Sequence, residues 1–242
     1  MKKEHGPLET TSLSAIEHLL QHRPELIRSL RVAARPSARV DRIETLAKEQ
    51  GVRPTRDPGL DSGESAVALL IAPPPVELKS LLSSVESKKR ALLVALDHIQ
   101  DPQNLGALCR SAEALGADAL LLPKHRSATV TGTVFAASAG AAGTLPICTP
   151  SGLNEALRQC KEAGFWIVGS TLAEDSTPLE KMPDFEKVVL VLGAEGEGMS
   201  ELTEKLCDWK VQIPLRGLVQ SLNVSAAGAV LIYEILKRSG KE

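Results

Sequence analysis

The sequence is poor in aromatic residues, which make up 2% of its 242 positions. A nucleic-acid platform of stacked aromatic rings, such as an RNA-recognition sheet presents, is therefore excluded. The formal net charge is also small, at -2, which argues against a protein that coats nucleic acid indiscriminately. Any contact with nucleic acid must then depend on a local basic surface.

Cysteines are few, and none of them forms a C-x-x-C pair. This pattern favours buried, reduced thiols over a disulfide framework or a zinc site. Apolar runs of the roughly 18 residues that a membrane helix needs are missing too. Met1-Lys2-Lys3 is followed by polar residues instead of the apolar core of a signal peptide. We expect a cytoplasmic protein without a membrane partner, whose four buried thiols are Cys109, Cys148, Cys160 and Cys207.

A run of three prolines divides the chain. Pro73-Pro74-Pro75 is followed by a polar stretch that ends in Lys88-Lys89-Arg90, and consecutive prolines stop regular structure. We therefore predict an RNA substrate-binding domain over residues 1–72, a linker over 73–89 and a catalytic domain over 90–242.

The first domain is predicted to mix short helices and strands. Apolar residues at helical spacing follow a candidate cap, Ser12 or Ser14. Gly51 is placed to end a second helix. The predicted elements are helices over 12–22 and 38–50 and strands over 29–33 and 65–71.

Apolar strands alternate with helices throughout the second domain. Such alternation is typical of a parallel sheet covered by helices on both faces, so the predicted fold class is α/β. Ligands of these sheets bind in the crevice beyond the carboxyl ends of the strands. The predicted strands cover residues 91–96, 117–122, 145–148, 165–169, 188–192 and 211–213, and the helices 104–115, 131–142, 153–163 and 222–237.

Three loops that follow apolar strands share a composition of Gly, Asn, Ser and charged residues. Glycine-rich loops let the backbone approach a ligand closely. The second loop has glutamates where a phosphate cradle needs neutral residues, and no Gly-Lys-Ser/Thr follows, so a cationic ligand suits it better than polyphosphate. The three loops are Asp97–Arg110, Leu192–Ser200 and Ile213–Ser225.

Each loop taken alone has an ordinary interpretation. Asn104 has the residue type of a helix cap, and Arg110 that of a surface ion-pair partner. Ser221, Asn223 and Ser225 could cap the last helix. A functional interpretation depends on all three loops occurring together and in order.

Together the loops resemble the three motifs of the SpoU/TrmH family, the RNA ribose 2′-O-methyltransferases of the SPOUT superfamily. The resemblance spans residues 91–238, and Ser138-Ala-Gly-Ala141 also fits it. Residues 8–71 resemble, more loosely, the small ribosomal-protein-like RNA-binding domain that many members carry. The layout most resembles the 23S rRNA guanosine 2′-O-methyltransferases. The matching motifs are Asn104-x-Gly106-x-x-x-Arg110, Leu192-Gly-Ala-Glu-Gly-Glu-Gly198 and Ile213-Pro…Ser221-Leu-Asn-Val-Ser225.

The resemblance implies a parallel-sheet domain with a deep trefoil knot, in which S-adenosylmethionine (AdoMet) is the methyl donor. It implies an in-line attack of a ribose 2′-hydroxyl on the sulfonium methyl group, without a metal. The implied catalytic residue is Arg110, assisted by Asn104, Glu195, Ser221 and Asn223. The implied cofactor contacts are Gly193, Ala194, Gly196, Ile213, Pro214, Leu215, Leu222 and Asn223.

Two positions depart from the family pattern. Leu215-Arg216 stands where members commonly have Met after Ile-Pro; Leu conserves the volume of Met, so we expect cofactor binding to survive. Ser62-Gly63-Glu64 replaces a His-Gln-Gly of the front domain, which leaves the RNA target open.

RNA and a second copy of the chain are the implied partners, and DNA is not expected. Family members work as homodimers in which the partner can supply the catalytic arginine. Between Gln21 and Arg56 there are nine basic and four acidic residues, and arginine suits bidentate phosphate contact. The candidate RNA contacts are Arg31, Arg35 and Arg39, with a solvated charged surface as the alternative.

Three other functions compete with this one. A tRNA ribose 2′-O-methyltransferase, or an rRNA methyltransferase that confers resistance, would share the chemistry. A non-catalytic RNA-binding ribosome-assembly factor would share the fold, although the five candidate catalytic residues are all present. A generic nucleotide-binding domain is disfavoured by the acidic second loop.

Overall fold

The computed structural model describes residues 8–60 and 65–238. These residues form two compact units. The first contains the described residues up to Pro74 together with Thr129–Thr144, and the second contains Pro75–Ala128 and the described residues from Leu145 onward. Met1-Lys2-Lys3 and Ser62-Gly63-Glu64 lie outside the described residues.

The first unit is built on a four-stranded sheet. Its elements up to Pro74 are β1 (Leu8–Thr10), α1 (Leu13–His22), β2 (Ile27–Ala33), α2 (Ala38–Glu49), β3 (Pro54–Asp57) and β4 (Ala66–Leu70). The strand order is β1-β4-β2-β3. Strand β4 runs antiparallel to both β1 and β2, and β2 runs parallel to β3.

Serine caps define the helices of the first unit. Ser12 caps α1, since its side chain accepts a hydrogen bond from the Ala15 N–H, and Ser37 caps α2 through the Val40 N–H. Gly51, with φ 76°, follows the end of α2 in the left-handed region. The two predicted helices are therefore confirmed, whereas β1 and β3 were not predicted because neither shows an apolar alternation.

The remaining elements alternate between helix and strand. In chain order they are α3 (Leu78–Val85), β5 (Ala91–Asp97), α4 (Pro102–Leu115), β6 (Ala119–Leu121), α5 (Gly132–Ala137), β7 (Ile147–Cys148), α6 (Leu153–Glu162), β8 (Trp166–Ser170), β9 (Thr177–Pro178), β10 (Lys187–Gly193), α7 (Glu201–Leu206), β11 (Trp209–Gln212) and α8 (Val224–Arg238). All of them except α5 belong to the second unit. Among the described residues, no helix has the length and apolar character needed to cross a membrane.

The second unit has a seven-stranded sheet with the order β7-β6-β5-β10-β8-β11-β9. All of its strand pairs are parallel, which confirms the predicted α/β fold with a parallel sheet. Every residue of β5 is buried. From β5 the chain adds β6 and β7 on one side, whereas β10 and β8 lie on the other. The topological switch point, where ligands of such sheets bind, is therefore at the carboxyl ends of β5 and β10.

Two stretches differ from their predicted roles in this unit. The predicted linker 73–89 contains α3, whose Leu81 and Val85 are buried in the second unit's hydrophobic core. Helix α4 begins at Pro102 and not at Asn104, because Asp101 caps it by accepting a hydrogen bond of 2.9 Å from the Gln103 N–H. Strand β9 and helix α7 were not predicted.

Residues 129–144 fold with the first unit, although the sequence places them inside the predicted catalytic domain. Helix α5 packs against α1 and β1. A Cβ on Gly132 would lie 1.7 Å from the Glu9 carbonyl oxygen, and one on Gly143 would lie 2.5 Å from a Leu19 methyl carbon. The small residues that predicted a helix over 131–142 are required by this close packing, and α5 covers only half of that stretch.

The four cysteines are unpaired thiols. Cys109, Cys148 and Cys160 are buried as predicted, whereas Cys207 is only partly buried. Burial raises the pKa of Cys109, Cys160 and Cys207 to about 12 and that of Cys148 to about 11. The thiolate, which is the reactive form, is therefore disfavoured at all four positions.

We expect the folded protein to react very slowly with a chromogenic disulfide reagent at pH 8. The physical reason is the raised pKa of each thiol, which leaves almost no thiolate at that pH. In denaturant the same reagent should react with all four thiols, and this reaction provides the control. Rapid labelling of Cys109 or Cys160 in the folded protein would show that their surroundings open readily.

Candidate active site

A cavity of about 500 Å³ lies at the carboxyl ends of β8, β10 and β11, within the size range of small-molecule sites. Its walls come from the loops that follow these strands and from the start of α8. Six of the eight predicted cofactor contacts line it, whereas Pro214 and Asn223 do not. The six are Gly193, Ala194, Gly196, Ile213, Leu215 and Leu222.

The loop after β10 folds back on itself. The Ala194 N–H donates to the Gly198 carbonyl at 3.0 Å, and the Gly198 N–H donates to the Ala194 carbonyl at 2.8 Å. A Cβ on Gly193 would lie 2.2 Å from the Gly198 carbonyl carbon. Gly196 and Gly198 have φ of 84° and 73°, a region that favours glycine. The glycines are therefore needed for the turn that presents this backbone to the cavity.

Three carboxylates face the same cavity. Glu195 and Glu197 belong to the loop after β10, and Glu204 lies on α7. Carboxylates concentrated at one site favour a ligand that carries positive charge. The preference of this loop for a cation over polyphosphate therefore stays a prediction.

Asn223 joins all three predicted motifs. Its Nδ2 donates to Asn104 Oδ1 at 3.0 Å and to Glu195 Oε2 at 3.4 Å. Its Oδ1 accepts from the Ser225 N–H at 2.9 Å and from the Ser225 hydroxyl at 2.6 Å. Asn104 is therefore not a helix cap, and the ordinary interpretation of that residue is wrong. One residue from each motif contributes to this hydrogen-bonded junction.

Arg110 lies apart from that junction. It is exposed on α4, six residues after Asn104, and helical geometry turns it about 120° away around the helix axis. Within residues 8–60 and 65–238, its guanidinium makes neither a hydrogen bond nor an ion pair. Ser221 lines the cavity. Within a single chain, Asn104, Glu195 and Asn223 therefore lie together, and Arg110 lies outside this group.

The structure adds residues that had no predicted role. Asp97 at the end of β5 is buried, and its Oδ2 accepts a hydrogen bond of 2.8 Å from the Ser200 N–H. This contact ties the first loop to the end of the second. A further wall of the cavity is formed by Ser170, the last residue of β8, and by Thr171–Ala173, which follow it. Their position after a predicted apolar strand was the only available signal for these four residues.

The predicted RNA-binding arginines differ in their surroundings. Arg31 pairs with Asp57 at 2.7 Å and with Glu9 at 3.2 Å, and Arg39 pairs with Glu17 at 2.9 Å. Arg35 is exposed and has no ion pair in the described part of the chain. Two of the three charges are thus already partly balanced by carboxylates.

Comparison with known proteins identifies relatives over nearly the whole chain. Residues 91–233 match the model of the SpoU rRNA Methylase family. A 23S rRNA (guanosine-2′-O-)-methyltransferase RlmB from Pseudomonas syringae is 35% identical over 237 residues, which cover 94% of each chain. The corresponding protein from Pseudomonas aeruginosa is 36% identical over 233 residues, with 93% of this chain and 94% of that protein covered.

Other similarities are shorter or more distant. An uncharacterized tRNA/rRNA methyltransferase of Synechocystis is 44% identical over 165 residues, which are 68% of this chain but only 43% of that longer protein. Among solved structures, the SpoU methyltransferase AviRb from Streptomyces viridochromogenes in complex with AdoMet has a TM-score of 0.77. It is 22% identical, with 97% of this chain and 91% of that one covered, so it supports the fold.

Proposed function

Because the chain belongs to the SpoU rRNA Methylase family, we propose that it methylates the ribose 2′-hydroxyl of a guanosine in 23S rRNA. It is an AdoMet-dependent RNA methyltransferase. The proposed substrate is that of the two Pseudomonas relatives, whose similarity extends over both units of this chain.

The Asn223 junction is the observation that carries this proposal. It brings one residue of each motif together next to a cavity that six of the predicted cofactor contacts line. AdoMet carries a sulfonium and an ammonium group, and Glu195 and Glu197 supply the matching negative charge, whereas Glu204 is already paired with Lys210 at 3.0 Å. Gly193, Ala194, Ile213 and Leu222 would hold the cofactor through the backbone that they expose in the cavity.

AdoMet supplies a methyl group that its sulfonium already activates for attack by the 2′-oxygen. Asn104, held by Asn223, keeps the start of α4 next to the acidic loop. Arg110 would orient the ribose hydroxyl and stabilise the negative charge that develops on its oxygen, a role suited to a guanidinium that stays charged. If Arg110 also carries the hydroxyl proton, its guanidinium must first release a proton to water, because the charged form has no acceptor, and this step is part of the proposal.

A homodimer would allow Arg110 to act across an interface. Gln103, Arg110 and Ala114 form an exposed line at helical spacing on α4. Val230 and Tyr233 form an exposed apolar pair on α8, which packs against α4. A second copy that covers these helices would bury this surface, and light scattering tests the idea by measuring whether the mass in solution is twice the 25.8 kDa of one chain.

Three further features belong to the same proposal. The proposed deep trefoil knot is supported by two observations. The loops after β10 and β11 line one cavity, and α8, the helix that follows the second of these loops, packs against α4 and β10. An RNA-binding role of the first unit is supported by Arg35, whose exposed charge remains available to a phosphate. Ribosomal RNA as substrate implies that the reaction takes place in the cytoplasm.

The test uses AdoMet with a labelled methyl group, the purified protein, and unmodified total rRNA and tRNA. We expect label in 23S rRNA at a single ribose that becomes resistant to alkaline cleavage. Label in tRNA alone would keep the chemistry and overturn the substrate. AdoMet binding without transfer to either RNA, under conditions where an active relative methylates the same preparation, would favour the assembly-factor alternative.

A further inference from the structure

Three basic residues follow β6 at the edge of the sheet that carries the candidate active site. Lys124, His125 and Arg126 are consecutive and all exposed. Strand β6 pairs with β5, and β5 pairs with β10, from which the cavity loop starts. Because all of these strands are parallel, the carboxyl ends of β6 and β10 lie on the same edge, about two strand spacings or roughly 10 Å apart.

The basic loop is held in place by backbone hydrogen bonds at both ends. The Lys124 N–H donates to the Pro150 carbonyl at 3.1 Å, and the Ala128 N–H donates to the Ile99 carbonyl at 2.8 Å. Ile99 belongs to the loop that leads into α4 and Asn104. Arg126 has φ 56°, an uncommon conformation for a residue other than glycine. The loop is therefore anchored to the segment that carries the first motif.

Several cations of the second unit have an acidic partner, and those of the basic loop do not. The distances from the lysine or arginine nitrogen to the carboxylate oxygen are 2.5 to 2.7 Å in four such pairs: Lys88–Asp118, Arg90–Asp184, Lys161–Asp208 and Lys210–Asp175. In the part of the chain that the structure describes, neither Lys124 nor Arg126 has an ion pair or a side-chain hydrogen bond. Their charges remain available to a ligand.

We propose that Lys124, His125 and Arg126 bind the phosphate backbone of the RNA substrate beside the target ribose. The inference rests on the proposed function, because only an RNA methyltransferase would bring RNA to this edge of the sheet. The charges on that edge are asymmetric, with carboxylates after β10 at Glu195 and Glu197 and cations after β6. A cationic cofactor is attracted to the acidic loop after β10. Phosphates are repelled from that loop and attracted to the basic loop after β6. The offset between the two loops places the contact on a neighbouring nucleotide of the strand.

The test compares two double variants that remove the same charges. Lys124→Gln with Arg126→Gln removes the proposed contacts. Arg158→Gln with Lys205→Gln is the matched control, since it removes one arginine and one lysine from α6 and α7, where each pairs with a carboxylate. The measurements are RNA affinity from low to high salt, AdoMet affinity and methyl transfer, all on the full chain.

We expect the first variant to bind RNA about tenfold or more weakly at low salt. The slope of log affinity against log salt should fall by about 1.4 to 1.8, since each phosphate contact contributes about 0.7 to 0.9. AdoMet affinity should stay unchanged, which also reports that the second unit is folded. The control, and a Lys124→Arg with Arg126→Lys variant that keeps both charges, should retain the wild-type slope.

The outcomes separate this inference from the proposed function. If the wild type methylates RNA and the first variant keeps its salt slope, the phosphate contact is overturned and the function stands. If both double variants lose the same slope, general charge and not this loop governs binding, and the contact is again overturned. If the wild type binds AdoMet but neither binds nor methylates RNA, the proposed function fails and this inference with it.

Discussion

Arg110→Ala lowers the rate of methyl transfer by about 10²- to 10⁴-fold, the range expected when a group that moves a proton or stabilises developing charge is removed. AdoMet affinity should not change, because Arg110 does not line the cavity. Stability should change little, because the side chain is exposed and has no partner in the described part of the chain. Single-turnover label transfer and equilibrium AdoMet binding provide the two measurements. Arg158→Ala, which removes an exposed arginine of α6, is the control.

Mixing variants decides whether Arg110 acts within its own chain. Asn223→Ala breaks the junction and should also be inactive. If the arginine acts across a dimer interface, mixing the Asn223→Ala and Arg110→Ala proteins restores about a quarter of wild-type activity. Half of the random dimers then contain one chain of each variant, and each of these mixed dimers has one complete site of its two. No restoration after subunit exchange would show that Arg110 acts within one chain. Full activity of Arg110→Ala alone would remove it from the mechanism.

Gly193→Ala weakens AdoMet binding by about tenfold or more, the effect of losing a hydrogen bond worth about 1.5 kcal/mol. A Cβ there would lie 2.2 Å from the Gly198 carbonyl carbon and 2.3 Å from the Met199 nitrogen. Both are backbone atoms, so no side-chain rotation relieves the clash and the loop must move. Calorimetric titration with AdoMet measures the effect.

Gly152→Ala is the matched control for this substitution. A Cβ on Gly152 would meet nothing within 4 Å, and its backbone is extended, with φ −142°. The variant should therefore bind AdoMet like the wild type. Unchanged affinity of Gly193→Ala would mean that the loop after β10 does not contact the cofactor, whereas a loss of folding would be seen in its thermal unfolding.

The larger elements of this fold could be predicted because their patterns are local. Buried parallel strands read as continuous apolar runs, and helices as repeats of 3.6 residues. Strand β3, Pro-Thr-Arg-Asp, has no such pattern and exists only through its pairing with β2. The predicted start of α4 at Asn104 was wrong. Asp101-Pro102 is the stronger signal, because Asp is a good cap and Pro is favoured at the first helical position.

The site could be predicted in part for a related reason. The order of three glycine- and asparagine-containing loops after parallel strands indicates that they meet at one edge. Which atoms meet depends on packing, so the bridge from Asn223 to Asn104 and Glu195 could not be derived from spacing. The separation of Arg110 from this bridge follows from helix rotation, which becomes informative only once the orientation of α4 is known.

The return of Thr129–Thr144 to the first unit affects how the chain can be made and divided. His18 Nε2 lies 3.1 Å from Thr144 Oγ1, and Arg23 donates to the Gly143 carbonyl at 2.8 Å. During synthesis the amino-terminal unit stays incomplete until Thr144 has left the ribosome, by which time β5 and β6 have already been made. A fragment ending at the prolines would lack the segment that covers Leu19. Either half expressed from a cut near residue 74 should therefore lack part of the first unit or carry a segment of it that has no partner. A circular permutation would have to keep the two connections on either side of Thr129–Thr144 intact.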